Sequence, residues 1–269
     1  MSLIAEMLSY PFLVRAFAGG ILVSVCAALL GVSLVLKRYS MIGDGLSHVS
    51  FGALSVAVAA GWAPLPVSVA VVVLAAFFLL RIAEDGKVRS DGAIAMISAS
   101  ALAAGIVVTS LSTGMTTDVS SYMFGSILAM SPKDVMLAAG LSLAVLILFV
   151  FCYHKIFAVT FDESFARAAG VKVSAYNVLI AVLTAVTIVL GMRMMGAMLI
   201  SSLMIFPALT SMRIFKSFRG VVVSSGIVAG LCFCVGLTLS YGFSTPAGAT
   251  VVLVNLAAYG GFWLAGRLL

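Results

Sequence analysis

Two side chains that can bind metal stand four residues apart in an otherwise apolar part of the sequence. Asp44 and His48 lie in the run MIGDGLSHVS that begins at Met41. Nine acidic residues occur in the chain, and eight of them lie in loops or at the ends of predicted apolar segments, whereas Asp44 lies within one. On a helix, residues i and i+4 share a face, with their β-carbons about 5–6 Å apart. A carboxylate oxygen and an imidazole nitrogen can therefore converge on one ion.

The setting of this pair restricts its chemistry. A carboxylate in hydrocarbon costs about 2.5–3.5 kcal/mol on insertion scales, so Asp44 should face a cavity and have a partner. An aspartate with a histidine suits Zn²⁺, Mn²⁺ or Fe²⁺ better than Mg²⁺, and two ligands hold an ion weakly enough to release it. Spacing alone leaves three hypotheses open: metal passage, a structural hydrogen-bonded pair and a proton relay. Ser47 and Ser50 are expected to form helix–helix hydrogen bonds rather than to bind metal.

The composition identifies lipid as the main solvent of the elements that carry this pair. Of 269 residues, 63% are hydrophobic and 9% are charged, whereas soluble domains have about 25% charged residues. We therefore expect an all-α, polytopic membrane bundle that forms one transmembrane domain over residues 1–269. No GxxxxGK[ST] run occurs, so the chain cannot hydrolyse ATP through a P-loop. The net charge of +6 is attributed to membrane topology, and no nucleic-acid binding is expected because no basic stretch is long or aromatic-interleaved.

Nine apolar segments predict eight or nine membrane spans, since a span needs about 20 apolar residues. The segments cover residues 12–36, 42–62, 64–80, 92–111, 134–153, 174–193, 195–212, 220–240 and 246–266. Two of them, 64–80 and 195–212, are short, and one can be re-entrant where protein or water surrounds its backbone. The run Ala16–Leu36 is too long for a signal-peptide core and is predicted to be the first span.

The placement of lysine and arginine predicts an N-terminus outside the cytoplasm. Cytoplasmic loops are enriched in these residues, and this orientation brings 12 of the 15 to the cytoplasmic side. Only Arg15, Lys133 and Arg193 fall outside or at the outer boundary. The assignment is firm if the number of spans is odd.

Five motifs, taken in order, resemble the zinc and manganese family of ABC-transporter permeases. The most informative is KRYSMIGDGLSH, which runs from Lys37 to His48. The other four are YMFGSIL from Tyr122, FDESFARAAG from Phe161, GAMLISSLMIFPA from Gly196 and TPAGA from Thr245. Each motif alone is of moderate specificity, whereas the ordered set is specific and spans nearly the whole chain.

The resemblance implies a fold, partners and a function. Members of this family resemble the vitamin B12-type importer permease, work as homodimers, pair with a separate ABC ATPase and receive metal from an extracytoplasmic metal-binding protein. The chain is thus expected to be a permease subunit, not an enzyme, of a metal importer in the bacterial plasma membrane. Asp44 and His48 become the expected metal contacts of the path, and no permanently bound cofactor is expected. The form of the motif with Gly45 favours zinc as the cargo, with manganese or iron otherwise.

A proton-coupled secondary transporter is the alternative, with Asp44 and His48 as its relay. A membrane scaffold without transport is a third class. Two other polar residues are not assigned to the metal path. Asp118 is interpreted as a solvated acid of the outer loop, and His154 as an interfacial residue beside Lys155.

The coupling loop, residues 154–173, is predicted to contain a short helix on the cytoplasmic side. Asp162 and Glu163 favour a helix N-terminus through the helix dipole, and Gly170 suits a C-terminal cap. The residues alone favour an ordinary amphipathic surface loop, whereas the resemblance implies that this helix docks on the ATPase. The residues assigned to ATPase coupling are Asp162, Glu163, Phe165, Ala166, Arg167, Ala169 and Gly170, of which Phe165, Ala166 and Ala169 are expected to form a small apolar face.

Overall fold

A computed structural model describes residue 7 and residues 9–84, 90–112 and 132–268, and helices make up nearly all of these residues. No strand occurs within these residues, and the predicted all-α class is confirmed. The helices are α1 (Pro11–Leu36), α2 (Ile42–Ala59), α3 (Pro64–Glu84), α4 (Ser90–Leu111), α5 (Pro132–Phe151), α6 (Tyr153–Phe161), α7 (Glu163–Ala168), α8 (Val173–Met195), α9 (Ala197–Ser211), α10 (Phe218–Phe243) and α11 (Ala247–Leu268).

Six of the described helices are long and apolar enough to cross a membrane, namely α1, α2, α4, α8, α10 and α11. Helices α5 and α6 meet the same test only together, and they are bent by 70° at their junction. The apolar parts of α3 and α9, Pro64–Leu79 and Ala197–Ser211, are shorter. At 1.5 Å per residue α9 measures about 22 Å, less than the hydrocarbon thickness of about 30 Å. The multi-pass membrane character is confirmed, whereas the count of eight or nine spans depends on α3 and α9.

Helix α1 is largely buried and packs closely on α9 and α10. A β-carbon placed on Gly31 would collide with the backbone carbonyl of Met204 in α9, and one on Gly20 would collide with the Phe233 ring in α10. Without a hydrophobic force between helices in lipid, such small residues permit the close backbone approach that holds a bundle together. The core of the bundle therefore centres on α1.

The basic loops of the bundle meet at one end. Lys37, directly after α1, contacts Glu163 of α7 at 2.7 Å. Arg213, just after α9, lies 5.2 Å from the ring centroid of Tyr259 in α11. The start of α10 reaches α6 through Phe218, whose ring lies 5.1–5.9 Å from three aromatic rings of that helix. The predicted orientation, with the N-terminus outside the cytoplasm, requires these basic loops to lie at the same end of the bundle.

Candidate functional site

Asp44 and His48 lie on the first two turns of α2, on a shared face as their spacing predicts. His48 Nε2 is 3.7 Å from Asp44 Oδ2, and the two side chains are 16% and 42% exposed, respectively. This separation is too long for a direct hydrogen bond. Within the described ranges, no group of three or more His, Cys, Asp or Glu side chains that could hold a metal occurs. In the part of the chain that the structure describes, Asp44 and His48 therefore form an open pair, without a third side chain of these types to complete a metal site.

Close packing on two sides sets the rotation of α2. A β-carbon on Gly43 would lie 3.1 Å from Met204 Sδ in α9, and one on Gly45 would lie 2.7 Å from Ile94 Cγ2 in α4. Successive residues of a helix are about 100° apart. Asp44 therefore points between the face that packs on α9 and the face that packs on α4.

The serines of the motif do not make the helix–helix hydrogen bonds that the sequence suggested. Ser47 Oγ donates to the backbone carbonyl of Asp44 within α2, at 2.7 Å. Ser50 Oγ is fully buried and has no hydrogen-bond partner among the described residues. The prediction is wrong for Ser47, because a serine hydroxyl in a helix readily reaches a carbonyl three or four residues earlier.

A closed polar triangle lies at the other end of the turn that leads into α2. Lys37 Nζ donates to Glu163 Oε1 and to Asn177 Oδ1, each at 2.7 Å. Asn177 Nδ2 donates to the same Glu163 oxygen at 3.2 Å. The Lys37 side chain is 8% exposed and that of Glu163 is 36% exposed. The triangle joins the end of α1 to α7 and α8, whose residues in it lie 126 and 140 positions later in the sequence.

The electrostatics of Glu163 follow from this triangle. Partial burial raises the pKa of its carboxyl, but the hydrogen bonds from Lys37 and Asn177 and the charges of Lys37 and Arg167 outweigh that effect. The net result is a pKa below the ordinary value. Glu163 is therefore held in its charged form beside Lys37.

The short helix predicted in the coupling loop is present as α7, with the predicted caps. Asp162 is its N-cap, and the side chain accepts a hydrogen bond from Phe165 N at 2.9 Å. At the other end Gly170 adopts a φ of +79°, the conformation that glycine favours after a helix. Val171 N then bonds Ala166 O at 2.9 Å, and Gly170 N bonds Arg167 O at 3.1 Å. These paired bonds end α7 in a Schellman motif.

The predicted apolar face of α7 is divided between two environments. Ala166 is fully buried and packs with Val159 and Val173, so it anchors the helix and does not belong to the exposed face. Phe165 is 69% exposed, and Ala169 is also exposed. The assignment of Ala166 to a docking surface is thus corrected, because its methyl group faces the protein. Phe165 is therefore the large apolar side chain that α7 leaves exposed.

Sequence reasoning missed helix α6, whose residues were assigned partly to a span and partly to the coupling loop. It turns away from α5 by 70° and docks on α10 through its aromatic rings. His154, at the start of α6, is exposed and its ring lies 5.4 Å from that of Tyr153, as expected of an interfacial residue. Continuous apolar character from α5 into α6 concealed the bend.

Sequence reasoning also missed Asn177 as a functional candidate. It is the first amide side chain of the predicted segment 174–193, and such a polar residue among apolar ones is a usable signal. Two predictions, for Asp118 and for the YMFGSIL motif from Tyr122, lie outside the described residues.

The described residues thus form a helical bundle with several membrane spans, an Asp44–His48 pair on α2 and a capped surface helix, α7. The chain belongs to the ABC 3 transport family, whose model matches residues 9–263. This confirms the resemblance to metal ABC-transporter permeases. The proton-coupled alternative is not favoured.

Relatives and a solved structure agree with this assignment over nearly the full chain. A probable metal transport system membrane protein of Treponema pallidum is 32% identical over 259 residues, covering 93% of this chain and 94% of the relative. The manganese import system permease protein ScaB of Streptococcus gordonii is 28% identical over 246 residues, covering 91% and 88%. The structure of PsaBC from Streptococcus pneumoniae in complex with Fab superposes with a TM-score of 0.86 at 27% identity, covering 97% and 94%.

Proposed function

We propose that this chain is the permease subunit of an ATP-driven importer that carries a divalent transition metal across the bacterial plasma membrane. The observation that carries the proposal is the open Asp44–His48 pair, held 3.7 Å apart on α2 in a chain of a transport family. A carboxylate and an imidazole that do not satisfy each other are available to an ion. The metal is cargo, so weak ligation by few groups suits its release.

Manganese is the first candidate for the cargo, ahead of zinc and iron. ScaB, a relative over most of the chain, is named for manganese import. The carboxylate oxygen of Asp44 is a ligand type that suits Mn²⁺, whereas the imidazole nitrogen of His48 is a ligand type that suits zinc and iron. The zinc preference inferred from Gly45 loses its force, because that glycine has a packing reason: it lies against Ile94.

Two copies of the chain would complete the path. One Asp44–His48 pair supplies two ligands, and a second copy related by twofold symmetry would supply two more. In such a homodimer, each permease domain would be of the vitamin B12 type with eight or nine spans, and the path would run along the subunit seam. The second copy would account for the open pair, because it supplies the missing ligands. A metal-binding protein on the outer face would deliver the ion.

The ATPase would dock on the coupling loop, residues 154–173. Phe165 is exposed at that end of the bundle, while Asp162 and Gly170 cap the helix that presents it. ATP binding and hydrolysis on the partner would favour one access state over the other, since a partner shifts an equilibrium only through unequal affinity for its states. The chain itself provides the path and the gate.

Reconstitution tests the proposal. The chain is purified with its ATPase, placed in liposomes and supplied with its metal-binding protein and ⁵⁴Mn²⁺. We expect accumulation that requires ATP and persists when a protonophore collapses the proton gradient. Accumulation that needs no ATPase and stops with the protonophore would establish the proton-coupled alternative instead. Absence of accumulation with and without the protonophore, for Mn²⁺ and likewise for Zn²⁺ and Fe²⁺, would leave the scaffold class.

A further inference from the structure

We propose that Lys37 is the positioning residue that ties the coupling helix α7 to the helix carrying Asp44 and His48. This inference rests on the proposed function and adds the route by which movement of the coupling loop reaches the metal ligands. The route is the Lys37–Glu163–Asn177 triangle together with the turn between α1 and α2. None of the three residues is a metal ligand.

The first step of the route is the contact between α7 and Lys37. Glu163 is the first residue of α7, and its Oε1 atom accepts bonds from both Lys37 and Asn177. A six-residue helix is too short to be stable alone, so α7 keeps its place through its neighbours. Its described attachments differ: Ala166 packs on α6 and α8, whereas Glu163 bonds Asn177 of α8 and, through Lys37, reaches the turn before α2.

The second step is the turn itself, which is held by its own hydrogen bonds. Lys37 N bonds Ser33 O at 3.1 Å, Tyr39 N bonds Leu34 O at 2.8 Å and Ile42 N bonds Tyr39 O at 3.0 Å. Arg38 within it has a φ of +63°, a conformation that costs free energy for a residue with a β-carbon. With these bonds in place, the turn would move as a unit when Lys37 is displaced.

The third step of the route leads from the turn along the chain to Asp44 and His48. Asp44 is seven residues after Lys37 and lies in the first turn of α2. The rotation of α2 is set by close contact with Met204 and Ile94, so a small displacement of its start changes where the carboxylate points. Movement of α7 would therefore shift Asp44 relative to α4 and α9.

The chemistry of the triangle favours a positioning role over simple stabilisation. The Glu163 side chain of the ion pair is 36% exposed, and an ion pair that solvent reaches contributes little to stability. Lysine has three donors on a flexible stem, and here two of them are directed to different helices. Asn177 carries both a donor and an acceptor, so it can serve a triangle in which the two charges are exchanged.

Two measurements test the inference in the purified chain and in the complex with the ATPase. The first is amide hydrogen exchange in wild type, Lys37→Met and Glu163→Gln. We expect exchange over residues 39–46 to rise about tenfold in both variants, because local opening becomes easier, and exchange over 224–236 in α10 to stay unchanged. Lys216→Met, which removes an exposed lysine from the loop before α10, should leave both regions as in wild type.

The second measurement is the ratio of ATP hydrolysed to metal imported in liposomes. Lys37→Met and Glu163→Gln should raise this ratio about fivefold or more, because nucleotide-driven movement no longer reaches α2. The double variant Lys37→Glu with Glu163→Lys, in which the two charges are exchanged, should bring the ratio most of the way back to the wild-type value. A variant that merely folds poorly would lower hydrolysis and import together and leave the ratio unchanged, and that result would overturn the inference.

The outcomes separate this inference from the function on which it rests. A wild-type complex that imports no metal refutes the proposed function and the coupling role together. A wild type that imports metal, with variants of unchanged exchange over 39–46 and unchanged ratio, refutes the role of Lys37 alone. Increased exchange and ratio in both single variants, with recovery in the exchanged pair, supports it.

Discussion

The two ends of the α1–α2 turn hold polar groups in opposite ways. At one end Lys37, Glu163 and Asn177 form a triangle in which each bond is 2.7–3.2 Å long. At the other end Asp44 and His48 stand 3.7 Å apart, without a direct bond between them. Both groups occur in a chain with only 9% charged residues, and Lys37 of the first group is seven residues before Asp44 of the second.

The difference separates a positional role from a binding role. A buried polar group whose partners are all present holds its neighbours in one arrangement, and removal of one partner leaves the others unsatisfied. A pair without mutual bonds imposes little order, but its lone pairs are available to an ion. Substitutions in the triangle should therefore affect stability and the coupling of ATP hydrolysis to transport, whereas substitutions in the open pair should affect transport alone.

The largest effect is expected from the open pair. Asp44→Asn and His48→Ala should each lower ATP-dependent Mn²⁺ uptake by about tenfold or more, because each removes one of two ligands from a weak site. Thermal stability in detergent should change by less than about 1 kcal/mol, since no bonded partner is left unsatisfied. His154→Ala, which alters the other histidine of the chain, is the control and should transport normally. Wild-type uptake by both variants would remove the pair from the metal path.

The next effect is on stability and concerns the triangle. Asn177→Leu should destabilise the protein by about 1–3 kcal/mol, because Lys37 and Glu163 each lose a buried partner. Asn255→Leu in α11 is the matched control. Asn255 bonds only a carbonyl of its own helix among the described residues, and its Oδ1 has no partner, so its replacement should be neutral or stabilising. Equal unfolding temperatures for the two variants would mean that the bonds of Asn177 in the triangle do not stabilise the fold.

Features set by local or periodic patterns could be predicted from the sequence. The first predicted span, 12–36, agrees with α1 at Pro11–Leu36, because lipid demands an unbroken apolar run. The shared face of Asp44 and His48 followed from helical spacing. The caps of α7 followed from residue types that satisfy free backbone groups at helix ends.

Features that depend on distant partners could not be predicted. Lys37 and Glu163 are 126 positions apart, and each charge alone was read as part of a basic loop or a helix N-terminus. The inward side of Ala166 was missed because six residues make fewer than two turns, too few for a periodic pattern. The bend before α6 was missed because hydropathy reports polarity and not direction.

Acidification should have a smaller effect on stability, through the carboxylate of Glu163 in the triangle. The folded-state pKa of Glu163 lies below its ordinary value of 4.5, so its charged form stabilises the fold above pH 4.5. This contribution should be lost as the pH falls below 4.5 and through the lowered value. The carboxylate is about one third exposed, so solvent screening keeps the effect small. In thermal unfolding from pH 6 to pH 3, the stability difference between wild type and Glu163→Gln should shrink only below pH 4.5. A constant difference over this range would show that the charge on Glu163 contributes nothing.

The smallest expected effect is on metal preference and concerns Gly45, between the two ligands. A methyl group at this position would lie 2.7 Å from Ile94 Cγ2, so Gly45→Ala should impair folding by overpacking, by about 1–3 kcal/mol. Ile94→Ala in the same chain creates the space and should restore stability and uptake. Because Gly45 faces α4 and not the ligands, the order of preference among Mn²⁺, Zn²⁺ and Fe²⁺, measured by competition for uptake, should be the same in the double variant as in wild type. A reversed order would mean that the glycine shapes the metal path itself, and that the open pair does not act alone in choosing the ion.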